Sequence, residues 1–599
     1  EAIAYMDVNF LNDFTFTVKG DLNLRSDKNT TYYNSSVGDG LAANGRLQKR
    51  EYSYKNYTFQ QQLKWAHTFG DHTLSVLLGH ENYSLNYDYT YLVKSNEALV
   101  GSTNLTNFAT MEQEQGYTMR YRTESYLGRV RYNYLDRYNV EASFRRDGSS
   151  RFAKGSRWGT FGSIGANWIV SKETFMKNLS WVNFLKLRAD WGQVGNDAGA
   201  SYNAYKSLYS SALTYEGNPA YIMTQIGNDQ LKWETGESWG IGVEARLFNR
   251  WNLNVEYFDR KNKDLLFNVY NPLSAGSTNL KDYSSTITQN LGTIANRGFE
   301  ISTDVDIFRN KDWRVNLSAN ATFIKNKVTQ LPEQNKEGII DGEYKIEEGK
   351  SRFEFYTYTY VGVDQMTGKA LYKADLENYK VLGGEDGKQV IAGNPEGTDI
   401  SKEVVCINGN YYVNAITHAL KEYHGSAMPT VYGSFCPTVS YKSITFSALF
   451  TYSLGGKVYD DIYRQLMTTT TTPHNYHEDI MKSWNGVPEG MTEDSPHRIW
   501  ANGVPQINSN ESSDNNAISS RWLTSANYLV LKNLYLSYDL PKEWTRAIYM
   551  EGIRVNLSCE NVFTSTKRRG MNPQQSINGY QYNYLMTPRV FTIGIDVKF

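Results

Sequence analysis

Within the stretch 456–525 of this 599-residue chain stand His474, His477, Glu478 and Asp479. Imidazole with carboxylate is a zinc donor set, but the surroundings are polar, with a threonine run at 468–472, and read as a solvated loop. Asp460 and Asp461 follow Gly455-Gly456 and could ligate calcium, yet the Asp-x-Asp-x-Asp-Gly spacing is missing. Gly148-Ser149-Ser150 invites a nucleophile reading. No histidine or other general base accompanies it, so the triplet reads as a tight turn. Arg145, Arg146 and Arg151 around it read better as lumen-facing or loop-anchoring groups than as substrate clamps. Cys406, Cys436 and Cys559 are too few and too scattered for a disulfide framework or a zinc set. No catalytic constellation, resident metal or cofactor is expected, and the chain is not expected to be an enzyme. The remaining candidates for ligand contact are aromatic. Tyr205, Tyr215, Tyr476, Trp484 and Trp500 lie in long connections and could stack on sugar rings, although tyrosine-rich connections also pack on themselves.

The composition narrows what could carry these groups. Mean hydropathy is −0.56, and no run approaches the roughly 18 to 20 apolar residues that a transmembrane helix needs. Alternating strands hide their apolar residues from such a window, so a membrane barrel stays open. Aromatic residues make up 14%, with 46 tyrosines, more than a soluble core requires and suited to interfacial girdles. The net charge of −1, from 62 basic and 63 acidic residues, gives no electrostatic footprint for nucleic acid. Residues 1–5 have neither a basic n-region nor an apolar h-region and do not read as a signal peptide.

Strict alternation at the C-terminus is the strongest signal. Phe591, Ile593, Ile595, Val597 and Phe599 are apolar, and Thr592, Gly594, Asp596 and Lys598 stand between them. This is the pattern of a transmembrane strand, apolar toward lipid and polar toward a lumen, and the terminal aromatic face reads as an assembly signal. The pattern recurs. Hairpins are predicted at 60–90 around Gly70-Asp71-His72, at 125–145 around Leu135-Asp136-Arg137, and at 239–257 around Asn249-Arg250. Two more are predicted at 299–323 around Asn310-Lys311 and at 439–452 around Lys442-Ser443. The polar faces carry charge (Glu141 and Arg145, Glu244 and Arg246, Asp304 and Asp306), which suits a hydrated interior. Short turns alternate with long connections at about 148–157, 196–229, 269–288, 326–352, 380–427, 456–525 and 563–588, the asymmetry of outer-membrane barrels. The fold class is therefore all-β, a transmembrane antiparallel β-barrel over 1–599, with about 19 strands. That number needs an odd count of strands ahead of residue 1, and three would bring the total to 22, the size of plugged transporters. Pro437, inside the strand predicted at 432–441, suggests a bulge.

Ten stretches then match one family in order. They are FRRDGSSRF (144–152), RWGTFGSIGANW (157–168), LKLRADWGQVGN (185–196), LKWETGESWGIGVEARLFN (231–249), YFDRKNKDLL (257–266), NRGFEI (296–301), VGVDQMTGKALY (361–372), ALFTYSLGGKVY (448–459), YLVLKNLYLSYDLP (528–541) and ENVFT (560–564). Together they resemble the SusC/RagA-type TonB-dependent transporters of Bacteroidota outer membranes. The resemblance implies a 22-strand barrel with an N-terminal plug and a TonB box, and this sequence contains neither. It also implies a SusD-like lipoprotein lid, coupling to the TonB complex through the N-terminal part, and an oligosaccharide cargo imported across the outer membrane. A peptide importer of the same family, or a passive or structural barrel, is the alternative. Which glycan or peptide is carried is not legible in the sequence.

Overall fold

The computed structural model describes residues 1–599 apart from 279–284, 383–390, 471–473, 569 and 583–586, so part of the threonine run at 468–472 lies outside the described residues. The chain divides into two compact units, one of residues 1–243 with 258–293, the other of 244–257 with 294–599.

The first unit is built on an antiparallel meander. Its strands are β1 (Ala2–Phe10), β2 (Phe14–Tyr33), β3 (Arg46–Phe69), β4 (His72–Glu97), β5 (Phe108–Tyr134), β6 (Tyr138–Ser149), β7 (Trp158–Trp168) and β8 (Val182–Asn196), each paired with the next. The turns at one end are tight because their residues accept positive φ. Phe69 lies opposite His72, with Gly70 at φ +59°. Tyr134 lies opposite Tyr138, with Leu135 and Asp136 at +54° and +52°. Both turns fall where the sequence places them. Two short hairpins complete the unit, β9 (Leu208–Tyr215) with β10 (Asn218–Gln225) and, after β11 (Glu234–Leu247) and β12 (Trp251–Lys263), β13 (Leu266–Asn271) with β14 (Ser285–Asn290).

Alternation separates the two faces of the meander. Leu78, Val130, Phe144 and Ile164 are exposed apolar residues, as expected of side chains whose solvent is lipid. On the opposite face Arg145 reaches Glu81 at 3.3 Å and Asp147 at 2.7 Å, Arg131 pairs with Glu141, and Ser143 bonds Ser163 at 2.6 Å. Rings gather at the tight-turn end. Phe10 stacks on Phe14 with centroids 5.3 Å apart, Tyr134 on Tyr138 at 6.3 Å, and Tyr138 on Trp168 at 6.2 Å. Tyrosine and tryptophan there form a band suited to a bilayer interface.

In the second unit β15 (Thr293–Arg309) turns at Asn310 into β16 (Trp313–Gln330), with Asn310 donating its N–H to the Trp313 carbonyl. The strand Val431–Tyr441 pairs with β16 and is followed across the sheet by Ile444–Leu454, Tyr528–Asp539, Gly552–Thr566 and Val590–Lys598, all antiparallel. The Lys442-Ser443 turn lies between opposed Tyr441 and Ile444, with Lys442 at φ +49°. The bulge expected at Pro437 is absent. Pro437 stands in register opposite Leu317, and on its other side Phe435–Phe450 and Thr438–Ser447 keep one register. The missing N–H leaves Cys436 and Pro437 without rungs toward Ile444–Leu454 but inserts no extra residue.

Apolar packing in this unit sits in the connections. Tyr344, Phe355, Tyr459, Met467, Trp522 and Tyr580 form one buried cluster. Tyr372, Val381, Ile400, Val413 and Ala419 belong to another. The connection 456–525 is folded across its described residues. It holds helix α1 (Asp461–Met467), and Met467 and Trp522 are 1% and 0% exposed. Among the described residues no helix is long and apolar enough to cross a membrane.

Candidate functional site: lumenal wall and mouth connections

The arginine-rich stretch 144–152 is an anchor. Ser149, fully buried, donates to Asp197 Oδ2 at 2.6 Å. Tyr121 donates to the same oxygen at 2.7 Å. The guanidinium of Arg151 donates to the carbonyls of Asp197 and Ala200 at 2.8 and 2.7 Å and lies 4.7 Å from the Tyr121 ring centre and 4.8 Å from that of Tyr202. The neighbouring Phe152 packs with Ala200, Ala204 and Leu231. Ser149 therefore gives its proton to a structural carboxylate, and its hydrogen bonds fasten the start of the 196–229 connection to the top of β6. Glycines in the adjoining stretches follow from one ring. A Cβ on Gly195 or Gly159 would collide with Phe161, so close approach of this ring excludes a larger residue at either place.

In the second unit two buried carboxylates hold the mouth connections. Asp364 accepts a bidentate pair from Arg498, Nε at 2.8 Å and a terminal nitrogen at 2.9 Å, both side chains almost fully buried. Burial pushes the Asp364 carboxyl up, but the Arg498 bonds and the Met366 N–H outweigh it, and the group sits below the usual carboxylate range. Asp460 caps α1 by accepting from the Tyr463 N–H at 3.1 Å and pairs with Arg568 at 2.7 Å. Arg568 stacks on Tyr463 at 3.7 Å. Burial, together with a bond to Asp479, pushes the Tyr463 hydroxyl up to about 12. Asp461 is taken up by Arg464 and Gln465. Protein groups thus occupy both aspartates considered for calcium. His477 accepts from the Asp479 N–H at 3.1 Å, capping a short turn, and the His474 ring lies against Tyr476 at 4.2 Å. Among the described residues no group of three or more histidines, cysteines or carboxylates could hold a metal. The cysteines are all free thiols.

The five aromatic candidates fall in both units. Tyr205 and Tyr215 belong to the first unit, Tyr205 with Lys206 5.4 Å from its ring and Tyr215 highly exposed at the end of β9. Tyr476, Trp484 and Trp500 belong to the second. Trp484 donates to the Gln365 carbonyl at 3.0 Å and its ring covers Gly368. Trp500 lies opposite Val363, so these two flank the turn that Asp364 organises. Asp197, Tyr121 and Arg498 carry more of the framework than the aromatic candidates do. The only sequence signal for Asp197 and Tyr121 is that Asp197 follows LKLRADWGQVGN directly. Phe591, Ile593, Ile595 and Val597 of the final strand, and Phe599 just beyond it, read in the sequence as an assembly signal, are 74%, 75%, 65%, 39% and 83% exposed. That strand is hydrogen-bonded to Gly552–Thr566.

Alternating strands with an apolar exposed face, a charged and hydrogen-bonded opposite face, an aromatic band at the short turns and folded long connections define a transmembrane β-barrel protein. Residues 4–387 match the family described as TonB dependent receptor-like, beta-barrel, and the chain belongs to that family. TonB-dependent receptor P39 of Formosa agariphila is 27% identical over 99% of this chain and 58% of its own length. TonB-dependent receptor SusC of Bacteroides thetaiotaomicron is 25% identical over 92% of this chain and 50% of its own length. The chain thus spans about half of the length of these relatives. Among solved structures, a chain of the RagAB peptide transporter superposes with a TM-score of 0.78 at 21% identity, covering 99% of this chain and 61% of that one. The family places the protein in the outer membrane.

Proposed function

We propose that this barrel belongs to an energised importer that moves a large nutrient, an oligosaccharide, across the outer membrane. A SusD-like surface lipoprotein serves as lid over the mouth connections, and the TonB complex acts through a plug outside this sequence. The observation that carries the reading is the similarity to receptors named TonB-dependent over nearly the whole chain. Energy must come from the inner membrane, because the outer membrane holds no potential. A hydrated, hydrogen-bonded wall suits passage of a polar cargo, since each departing contact can be replaced by the next. Peptide import is the second reading, favoured by the superposition on a transporter titled for peptides. Growth of the parent organism and of a strain lacking this gene, on defined glycans and on defined peptides, separates the two. Loss of growth confined to one glycan class, with short-term uptake of that labelled glycan by parent cells ceasing when the inner-membrane potential is collapsed, is the expected result. Unchanged glycan growth with lost peptide growth assigns a peptide cargo, and uptake indifferent to the potential makes the barrel a passive channel.

A further inference from the structure

The strands β3, β4 and β5 are 24, 26 and 27 residues long, whereas a tilted strand crosses a bilayer in about 9 to 11. At about 3.3 Å per residue they extend tens of ångströms beyond it. Along them the polarity of the two faces inverts. Toward the tight turns, Phe59 and Leu78 are on one face and Gln60, Glu81 and Ser125 on the other. Farther out, the face that carried Phe59 shows Lys49, Glu51, Ser53 and Lys55, and the face that carried Gln60 shows Tyr52 and Tyr54. The inversion marks the outer edge of the lipid.

Beyond that edge the lumen-side face is tiled with tyrosine. Tyr52 lies opposite Tyr89 and Tyr54 opposite Tyr87, and Tyr89 also faces Tyr117 on the next strand. Ring centres are 5.1, 4.9 and 4.9 Å apart in these pairs. All six, counting Tyr91, keep part of their surface accessible. One strand over, β2 borders the tiles with hydrogen-bonding groups, Arg25 opposite Tyr54 and Asp27 opposite Tyr52. Arg25 and Asp27 pair at 2.6 Å, so the border offers donors and acceptors without net charge. Arg50 is held over Tyr91 at 4.8 Å. Buried Leu47, Val93 and Phe108, with Tyr32 bonded to Glu97, hold the outer ends together, so the surface is presented by a rigid sheet. The tiles cover about 10 to 13 Å in each direction, the footprint of two or three pyranose rings.

We propose that Tyr52, Tyr54, Tyr87 and Tyr89 form a stacking platform for an uncharged oligosaccharide entering the mouth. This rests on the reading of the cargo as a glycan. A pyranose presents a face of C–H bonds, which suits the negative face of an aromatic ring, and its edge hydroxyls suit the planar Arg25–Asp27 pair. An ordinary cross-strand ladder would also stabilise the sheet, so the test must read binding. Titration calorimetry on the detergent-purified protein with linear malto-, cello-, xylo- and β-1,3-gluco-hexasaccharides, and with a mixed decapeptide pool, supplies it. Tyr54→Leu/Tyr87→Leu, which keeps apolar packing, should weaken the bound saccharide roughly tenfold or more. Tyr54→Phe/Tyr87→Phe should stay close to the parent, and both should keep heat-modifiable mobility. Saccharide bound with equal affinity by the leucine variant overturns the platform and leaves glycan import standing. Binding of the peptide pool with no saccharide bound, or no binding of any saccharide, overturns both.

Discussion

Lys532 donates from Nζ to Oδ1 of Asn561 at 2.8 Å, at a register shift shared by three strands. Leu531 and Asn533 face adjacent Phe450 and Leu449 on one side, so Lys532 is an extra residue relative to that strand, whereas on the other side they face Phe563 and Glu560, so Asn561 and Val562 stand against Lys532 alone. Asn561 sits at φ +52° and uses its amide nitrogen on the Pro588 carbonyl at 2.9 Å. One side chain therefore ties two sheet strands to the segment that enters the last one. Both residues lie in family stretches, YLVLKNLYLSYDLP and ENVFT, so what those stretches encode here is a bulge and its fastening.

Two substitutions separate the roles of Asn561. Asn561→Gly keeps the left-handed backbone and loses the side-chain bonds, costing about 1.5 to 3 kcal/mol. Asn561→Val loses the same bonds and adds about 1 to 3 kcal/mol of strain at positive φ. Urea unfolding from lipid vesicles should rank parent, Gly and Val in falling stability. Equal values for the two variants would show that the backbone is unstrained.

Asp364 and Arg498 are 134 residues apart in sequence and buried together. Arg498→Leu leaves a buried carboxylate without its partner, a loss of about 3 to 5 kcal/mol, felt in the 360–373 and 484–504 segments. Because the Asp364 carboxyl is held below its ordinary range, its contribution is fully present above about pH 4 and fades as pH falls through the folded-state value. Hydrogen exchange of the 361–372 amides should rise in the variant at neutral pH and in the parent only under acid. Unaltered exchange in Arg498→Leu would show that the pair does not hold the connection.

Sequence and structure agree where physics is local. The Gly70, Leu135 and Lys442 turns need only a positive φ between two alternating strands, and that is visible in ten residues. The outer parts of β3 and β5, and β4 beyond Thr90, lie outside the hairpins legible in the sequence, because the apolar residues change face beyond Phe59 and the alternation loses its phase. The Ser149–Asp197 and Asp364–Arg498 bonds were hidden for another reason. They join residues 48 and 134 positions apart, and which connection folds over which is decided by packing of the whole unit. Pro437 differs from its sequence expectation because loss of one donor does not require an inserted residue; the strand instead forgoes rungs on one side.

The two faces predict opposite responses to charge. Val243 is exposed on the apolar side, and Leu317 alternates with Arg314, Asn316 and Ser318, which serve Asp304 and Asp306. Val243→Arg or Leu317→Arg near the bilayer midplane should cost about 2 to 4 kcal/mol, and Ser302→Arg on the Asp304 side should be mild. Reversible folding into vesicles measures all three. Equal costs would mean that the faces are assigned the wrong way round.

Deleting Ile595–Phe599 removes the last four of the nine residues of the strand Val590–Lys598, and with them the cover over Gly552–Val555. An uncovered ladder edge cannot persist in lipid, where each unpaired backbone group costs several kcal/mol. The truncated protein should fail to reach the outer membrane and should lose heat-modifiable mobility. A heat-modifiable barrel in that variant would remove the last strand from the assembly signal.

We propose that the lid lipoprotein contacts 456–525, the longest of the connections, and a test of this needs a milder variant than a deletion. Removing 468–515 would take away Arg498 and also Ile480 and Val504, which pack on the Trp522 cluster, so the mouth would unfold together with any contact. Met481 and Ile507 offer the better handle, being 85% and 63% exposed on the same connection. Exposed apolar side chains on a folded connection suit a protein partner. Met481→Glu with Ile507→Glu should leave the barrel heat-modifiable and Arg498 paired, yet release the lipoprotein during detergent purification from the parent organism. Full co-purification of the lipoprotein with that variant would place the lid contact elsewhere on the mouth.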